Sequence, residues 1–391
     1  MSRPVYLDYH ATTPVDPRVV QAMLPYFTER FGNAASRQHA YGWEAQQAVD
    51  AGREQVAALL GASAGEVVFT SGASESNNLA IKGAAYALRE RGDHIITSAI
   101  EHKSVLDSCA RLESDGWRVT RLGVDRDGLV MLDELRAAIT DRTVIVSVMA
   151  ANNEIGVIQP LAEVGATARQ HGALFHTDAA QAAGKIPLDV VAMNVDLLSL
   201  TGHKFYGPKG AGALYVRRTR PKLRLVSQID GGGHENGLRS GTLNVPGIVG
   251  LGAAAEGCRR EMEQESERLR ALRDHLLERL ERDPGGVRVN GPLGARRLPH
   301  NLHLTFTGIE GEALLMALGD LAVSTGSACS SGSHEPSHVL QAIGAVGPDG
   351  GASIRFGLGR WTTLEEVEFA ASRVATVVRS LRARAVASEQ G

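Results

Sequence analysis

Hydrophobic positions in the first two-thirds of the chain fall into short apolar runs that alternate with longer, partly polar stretches. The short runs are typical of buried strands, and the longer stretches place apolar side chains three or four positions apart, as helices do. This pattern predicts strands at 66–70, 94–97, 118–122, 143–149, 173–178 and 196–200, and helices at 74–90, 105–113, 132–139 and 161–170. The alternation favours an α/β fold in which helices cover both faces of a mainly parallel sheet.

A different pattern begins near residue 246, where leucines recur at helical spacing among Arg and Glu and predict one long helix over 246–282. Shorter elements follow it, with strands at 287–290, 301–306 and 353–356 and helices near 311–318, 336–343 and 364–381. We therefore expect a large domain over 16–262 and a smaller α+β domain. The smaller domain is formed by 1–15 and 263–391 and carries a loop at about 324–335.

Composition and charge narrow the class of protein. Of 391 residues, 43% are hydrophobic and 22% are charged, which excludes a disordered or fibrous chain. The net charge of −3 gives no indication of nucleic acid or an anionic membrane as the main partner. Three cysteines form neither a disulfide framework nor a CxxC pair, so we expect a reducing, cytoplasmic compartment. With no long apolar segment, neither a membrane span nor a secretory leader is expected.

The segment TSGASESNN, at 70–78, joins a predicted strand to a predicted helix. Its small residues would let backbone N–H groups face an anion such as a phosphate at the positive end of the helix. The alternative is an ordinary helix start with Ser74 as its N-cap. The segment lacks the GxGxxG and GxxxxGK[ST] spacings, which argues against a dinucleotide site or a P-loop.

Asp178 and Lys204 each follow a predicted strand, and ligands of parallel sheets bind beyond the carboxyl ends of the strands. A lone lysine is most often solvated, but Lys204 lies between glycine-rich turns after a buried run. An aspartate, a lysine and an anion-binding turn together match the needs of pyridoxal 5′-phosphate (PLP). PLP forms an imine with a lysine, pairs its pyridine nitrogen with a carboxylate and needs a site for its phosphate.

Three further polar residues are weaker candidates, each with an ordinary structural alternative. His102 follows a predicted strand and could stack on a flat cofactor or carry protons, or it could be a loop histidine. Asn153 could donate to a cofactor oxygen or only stabilise a turn. Arg355 lies within an apolar strand, where it could bind a substrate carboxylate or form a structural salt bridge.

Cys329 lies among small polar residues without any core pattern, which indicates an exposed and reactive thiol. Cys109 and Cys258 lie in helical patterns and are interpreted as structural. A zinc site formed by Cys329, His334 and His338 is the less favoured alternative, because no fourth ligand is apparent. No metal is therefore expected.

Nine motifs, in order and nearly from end to end, resemble those of the group I, NifS/IscS-like cysteine desulfurases. These are PLP-dependent enzymes of the class V aminotransferase family with the aspartate-aminotransferase fold, PLP fold type I. The motifs are YLDYHATTPVDPRV, FTSGASESNN, EHKSV, NNEIGVIQP, HTDAAQ, TGHKFYGPKG, GGGHENGLRSGT, STGSACSSGSHEPSHVL and IRFGLGRWT. The family pattern has an arginine where this chain has Asn236, a departure that concerns a surface or entrance contact more than the cofactor site.

The resemblance implies a role for each matching residue. Lys204 would form a Schiff base with PLP, Asp178 would pair with the pyridine nitrogen, and Cys329 would be the nucleophile. The resemblance also implies that the PLP ring is contacted by His102, Gln181 and Asn153, and its phosphate by Ala73, Ser74, Thr201 and His203. Thr242 would contact the phosphate bound by the neighbouring subunit. The substrate carboxylate would be bound by Arg355 and Asn153. His102 would also help to move protons, and the contact of Thr242 would make the enzyme a homodimer.

The activity that the resemblance implies is the conversion of L-cysteine to L-alanine, with the sulfur passed to Cys329 as a persulfide. A sulfur-acceptor protein of iron–sulfur cluster assembly, tRNA thiolation or another thiolation pathway would then receive it. The alternative is a selenocysteine lyase or another PLP-dependent C–S lyase. A sulfur-carrier subunit without PLP is disfavoured by the Asp178–Lys204 pair, and a nicotinamide oxidoreductase by the missing glycine fingerprint.

Overall fold

The computed structural model describes residues 3–218, 222–325, 337–346 and 351–389, with the backbone alone over 386–389. Its helices are α1 Pro17–Met23, α2 Pro25–Thr28, α3 Ala40–Leu60, α4 Ala73–Ala87, α5 Lys103–Ser114, α6 Leu132–Ala138, α7 Leu161–Gln170, α8 Val245–Arg282, α9 Gly311–Ala317, α10 His338–Ala342 and α11 Leu364–Glu389. Its strands are β1 Val5–Tyr6, β2 Val67–Thr70, β3 His94–Ser98, β4 Arg118–Leu122, β5 Thr143–Ser147, β6 Leu174–Asp178, β7 Leu197–Thr201, β8 Gly212–Val216, β9 Val287–Val289, β10 Asn301–Thr307, β11 Leu321–Ala322 and β12 Gly351–Gly357.

The central sheet has seven strands in the order β2-β8-β7-β6-β5-β3-β4. From β7 to β4 every neighbouring pair is parallel, which confirms the predicted mainly parallel α/β sheet. The hydrophobic pattern did not predict β8, which is fully buried and runs antiparallel to both β2 and β7. The predicted strands agree with the observed ones to within two residues at either end.

Helix α4 begins at Ala73, and its N-cap is Gly72, which has no side chain to cap the helix. The alternative in which Ser74 is the N-cap is therefore wrong, because Ser74 lies inside the first turn.

Helix α3 was not predicted. Its buried face consists mainly of small residues that pack against α8. The approach is close at Gly52, where an added β-carbon would lie only 3.0 Å from Ile248. A face of Ala and Gly gives little contrast in hydrophobicity, so the periodicity is weak.

Two hydrophobic cores meet along α8. Its first half contributes Ile248, Leu251 and Cys258 to the core around the central sheet. Its second half contributes Leu269 and Leu276 to a core that also includes Leu7, the β12-β10-β9 sheet and α11. Because the N-terminal strand β1 pairs with β11, the start of the chain lies with the second core. We propose that the two domains divide within α8, between the two sets of side chains.

Cys109 and Cys258 are both buried, as expected of structural cysteines. Burial raises the pKa of the Cys109 thiol to about 12 and that of Cys258 to about 11, so neither is a ready nucleophile.

Cys329 and His334 lie outside the described residues. Within the described ranges, no helix is long and apolar enough to cross a membrane, and no group of three His, Cys, Asp or Glu residues could hold a metal ion.

Candidate active site

A cavity of about 590 Å³ opens at the carboxyl ends of β3, β5, β6 and β7. Ten of the predicted site residues line it: Ala73, Ser74, His102, Asn153, Asp178, Gln181, Thr201, His203, Lys204 and Arg355. They converge because the carboxyl ends of parallel strands meet at one edge of a sheet. Thr242 is exposed and does not line this cavity, and Cys329 lies outside the described residues.

One end of the cavity is formed by the N-terminus of α4. Gly72 has a φ of +153°, and a β-carbon there would lie 3.4 Å from Thr201 Oγ1. On its other side Gly212 packs so closely that a β-carbon would come within 2.5 Å of Gly72 Cα. Ala73 and Ser74 thus present the first backbone N–H groups of a fifteen-residue helix toward the cavity. This end fits the phosphate group of PLP.

Lys204 lies in a short 3-10 turn, Gly202–Lys204, that follows β7 directly. Its Nζ donates to the carbonyl oxygens of His10 and Ala11, the second at 2.8 Å, so the amine is held at the cavity wall. The neighbouring His203 lies within hydrogen-bonding distance of Thr12, with 3.2 Å between Nδ1 and Oγ1. Burial, with the charge of Lys204, lowers the pKa of His203 to about 4, so this ring is neutral at physiological pH.

Asp178 is 4% exposed, and both of its carboxylate oxygens accept hydrogen bonds. Oδ2 accepts from Asn77 Nδ2 at 2.7 Å, and Oδ1 accepts from the backbone N–H of Ala180 at 2.9 Å. These bonds fix the orientation of a carboxylate at the edge of the cavity. Asn77 was not among the predicted site residues, although it belongs to the motif FTSGASESNN and lies one turn into α4.

His102 is tied to Asp178 by the same network. Its Nδ1 accepts from the backbone N–H of Ser104 at 3.1 Å and lies 2.8 Å from Ser104 Oγ. That hydroxyl accepts from Asn77 Nδ2 at 2.8 Å, so its proton points to Nδ1 of His102. A neutral His102 therefore carries its proton on Nε2, and Asn77 holds both predicted residues in place.

Gln181 lies against His10, a second site residue that was not predicted from the sequence. His10 Nδ1 and Gln181 Oε1 are 2.9 Å apart, and Gln181 Nε2 donates to the His10 carbonyl oxygen at 3.0 Å. Burial, followed by the charges of His300 and Arg355, holds the pKa of His10 well below its ordinary value. In the sequence, only the position of His10 within the motif YLDYHATTPVDPRV pointed to a role in the site.

Arg355, in β12, is 3% exposed and forms the structural salt bridge that was one of its two predicted alternatives. Nη2 forms a salt bridge with Asp8 Oδ1 at 2.7 Å, and Nη1 donates to the Asn153 carbonyl oxygen at 2.9 Å. Its Nε is buried and has no hydrogen-bond partner among the described residues. The structural salt bridge is thus present, and a guanidinium with five N–H groups keeps further donors beyond these two bonds.

The described residues on either side of the segment that contains Cys329 are held beside the cavity. Before it, the carbonyl oxygen of Ser324 accepts from the backbone N–H of Arg355 at 2.7 Å. After it, Ser337 Oγ donates to Glu154 Oε2 at 2.6 Å, and His338 Nε2 donates to the carbonyl oxygen of Glu101 at 3.0 Å.

The aminotransferase class-V family model matches residues 5–369 of the chain. This chain belongs to the aminotransferase class-V family. Members of this family depend on PLP, and the resemblance inferred from the nine motifs is confirmed.

Relatives within the family agree over nearly the full length. The chain is 57% identical to the cysteine desulfurase IscS of Anaeromyxobacter sp. (strain K) over 382 residues, which are 98% of this chain and 94% of that protein. It is 51% identical to that of Rickettsia rickettsii (strain Iowa) over 383 residues, 98% of this chain and 93% of the other. Among solved structures, a NifS-like protein matches with a TM-score of 0.90 and 38% identity, covering 97% of this chain and all of that one. The structure of SspA in complex with cysteine matches with a TM-score of 0.81 and 40% identity, covering 92% of this chain and 100% of that one.

Asn236, where the resemblance leads us to expect an arginine, is exposed and does not line the cavity. Its φ is +58°, in the left-handed region that asparagine enters more readily than arginine. The preceding Glu235 is buried and forms two 2.7 Å hydrogen bonds with Arg53. Asparagine therefore suits the backbone at this position, which lies outside the cavity lining.

Proposed function

We propose that this class-V protein is a cysteine desulfurase that binds PLP in the cavity and passes the sulfur of L-cysteine to Cys329. The observation that carries the proposal is that Lys204, Asp178 and Arg355 line one cavity together with seven other predicted site residues. The names of the relatives support the same activity, and SspA, a structural neighbour, was solved with cysteine bound.

The residues present fit PLP. Lys204 would hold its aldehyde carbon, Asp178 its pyridine nitrogen and the N-terminus of α4 its phosphate, with Thr201 and His203 beside the last. His102 would lie against the ring, and Gln181 and Asn153 near its phenolic oxygen. When bound, PLP supplies an electron-withdrawing ring that stabilises negative charge developing on the substrate's α-carbon.

Arg355 would bind the carboxylate of L-cysteine through N–H donors that its two bonds leave unused, while Asp8 and the Asn153 carbonyl hold the guanidinium in place. Once the substrate amine has displaced it, Lys204 Nζ would take the proton from the substrate α-carbon and return it during turnover. The carbonyl oxygens of His10 and Ala11 orient that amine. His102, with Nδ1 occupied by Ser104, would act through Nε2.

The thiolate of Cys329 would then attack the sulfur of the bound substrate. An S–S bond forms on Cys329, the C–S bond of the substrate breaks, and its electron pair stays with the carbon fragment, which is protonated to alanine. Cys329 follows Thr325 by four residues, at most about 14 Å of extended chain. Since Ser324 bonds to Arg355, this reach supports a role for Cys329 in the same cavity.

We further propose that the enzyme works as a cytoplasmic homodimer, with Thr242 contacting the phosphate bound by the neighbouring subunit. Thr242 is exposed and lies away from its own chain's cavity, as such a role requires. The acceptor of the sulfur would be a protein of iron–sulfur cluster assembly or of another thiolation pathway, such as tRNA thiolation.

The test is release of sulfide and alanine from L-cysteine in the presence of a reductant. Wild type should give equal amounts of both, and Cys329→Ser and Lys204→Ala should each abolish the reaction. Cys109→Ala is the matched control, because this thiol is buried in α5 away from the cavity, and it should retain activity. Activity in Cys329→Ser but not in Lys204→Ala would instead indicate the alternative, a PLP-dependent C–S or selenocysteine lyase.

A further inference from the structure

A chain of buried hydrogen bonds runs from Arg297 to the cavity. Arg297 is 2% exposed, and its Nη1 donates to Asn301 Oδ1 at 2.9 Å. The amide nitrogen of Asn301 donates to the Glu154 carbonyl oxygen at 2.9 Å and lies 3.0 Å from His10 Nε2. A guanidinium can only donate and a carbonyl can only accept, so the two ends fix which way the Asn301 amide faces.

This orientation determines where His10 carries its proton. Since Asn301 presents an N–H to His10 Nε2, that nitrogen must accept, and the proton of a neutral ring is on Nδ1. His10 is fully buried and neutral, so Nδ1–H donates to Gln181 Oε1 at 2.9 Å. The oxygen of Gln181 is therefore turned to His10, and its NH₂ group bonds to the His10 carbonyl oxygen with one N–H, which leaves a second N–H on a side chain that lines the cavity.

We propose that Arg297, Asn301 and His10 are positioning residues that fix the Gln181 amide as a hydrogen-bond donor toward the cavity. The inference rests on the proposed cofactor site, because the group that would accept from Gln181 is the phenolic oxygen of PLP. The same His10 also supplies the carbonyl oxygen that holds Lys204 Nζ, so one residue orients two groups of the site. Nothing in the local sequence around Gln181 encodes this, since His10 lies 171 residues earlier.

The tautomer of His10 can be measured without any reaction. In the full-length protein as purified, long-range ¹H–¹⁵N correlation spectra of ¹⁵N-histidine should show His10 protonated on Nδ1 and unprotonated on Nε2. The signal is assigned by its loss in His10→Gln. Asn301→Asp replaces the donor facing Nε2 by an acceptor, and Nε2 should then become protonated. A proton on Nε2 in the wild type, or no change in Asn301→Asp, would overturn the proposal.

A second measurement addresses Gln181 in the PLP-loaded protein. A donor to the phenolic oxygen stabilises its charged form, so losing the donor should raise the pH midpoint of the visible absorption band by about 1 pH unit. We expect this rise in Gln181→Leu and in His10→Leu, and no additional rise in the double variant. His300→Phe is the matched control, because His300 stacks on His10 at 4.4 Å but lies outside the chain of bonds.

The two measurements separate failure of this inference from failure of the proposed function. Additive shifts, or a midpoint that moves in Gln181→Leu but not in His10→Leu, would refute the positioning role while leaving the PLP site intact. A purified protein that takes up no PLP and has no visible band would refute the cofactor site. The tautomer measurement would still decide whether the chain of bonds exists.

Discussion

Glu101 is a fully buried carboxyl group that lies directly before His102, and its replacement by glutamine should stabilise the protein. Its Oε1 accepts from Ser98 Oγ at 2.7 Å and from the backbone N–H of Met149 at 2.8 Å. Its Oε2 is buried without a hydrogen-bond partner among the described residues. Burial raises the pKa of Glu101 from its ordinary 4.5 to about 8, so the folded protein binds this proton more tightly than the unfolded chain.

The consequence is a loss of stability as the pH rises. Below about 4.5 the group is protonated in both states, and between there and about 8 the unfolded chain gains from ionising it while the folded protein does not. At about 1.4 kcal/mol for each pKa unit, the loss is about 1 kcal/mol at pH 5 and about 4 kcal/mol at pH 8. Glu101→Gln retains the acceptor for Ser98 and Met149 and removes the ionisation, so it should recover these amounts.

The assay is equilibrium unfolding by denaturant at pH 5 and pH 8. The free energy of unfolding of Glu101→Gln should exceed that of the wild type by an amount that grows between the two pH values. Glu90→Gln, at an exposed position after α4, serves as the control and should not change this difference. A gain that is equal at both pH values, or a variant less stable at pH 8, would show that Glu101 is ionised in the folded protein.

Three further changes test other parts of the site. Asn77→Leu removes a hydrogen bond to the Asp178 carboxylate, a loss of about 1.5–3 kcal/mol. It should therefore weaken PLP binding roughly 10- to 100-fold in a titration of the apoprotein. Unchanged affinity would contradict the role given to Asn77. Arg355→Gln should raise KM for L-cysteine by at least about tenfold, with a smaller effect on kcat, if its guanidinium binds the substrate carboxylate. Gly212→Ala should destabilise the protein by at least about 1 kcal/mol in denaturant unfolding, because its β-carbon would come within 2.5 Å of Gly72 Cα. Wild-type stability would show that the Gly72 backbone can move aside at no cost.

Much of the architecture was predictable because the signals that encode it are local. A buried strand of a parallel sheet is a short apolar run, and a helix repeats its apolar positions every three or four residues, so most elements could be placed from the sequence. Several elements were not predicted, and for two of them, α3 and β8, the structure shows a physical cause. The buried face of α3 is built mainly from small residues. Strand β8 lies between β2 and β7 and runs antiparallel to both, which the alternation of strands and helices does not encode.

The residue types of the site were equally accessible, because Asp178, Lys204 and their neighbours follow predicted strands and lie in motifs that this family shares. A rule about parallel sheets was enough to expect that they meet. What stayed out of reach was the set of partners that orients them. Asn77 for Asp178 and Asp8 for Arg355 are separated from those residues by 101 and 347 positions.

The sequence by itself thus determined the order of the elements, the cavity edge and the chemical groups gathered there. Only the tertiary structure decided which atom of each group faces which partner. Asn301 and His10 meet across 291 residues, and their contact sets the tautomer of one ring and the direction of the Gln181 amide. Such a choice depends on donors and acceptors that become neighbours only on folding, so no local pattern of residues records it.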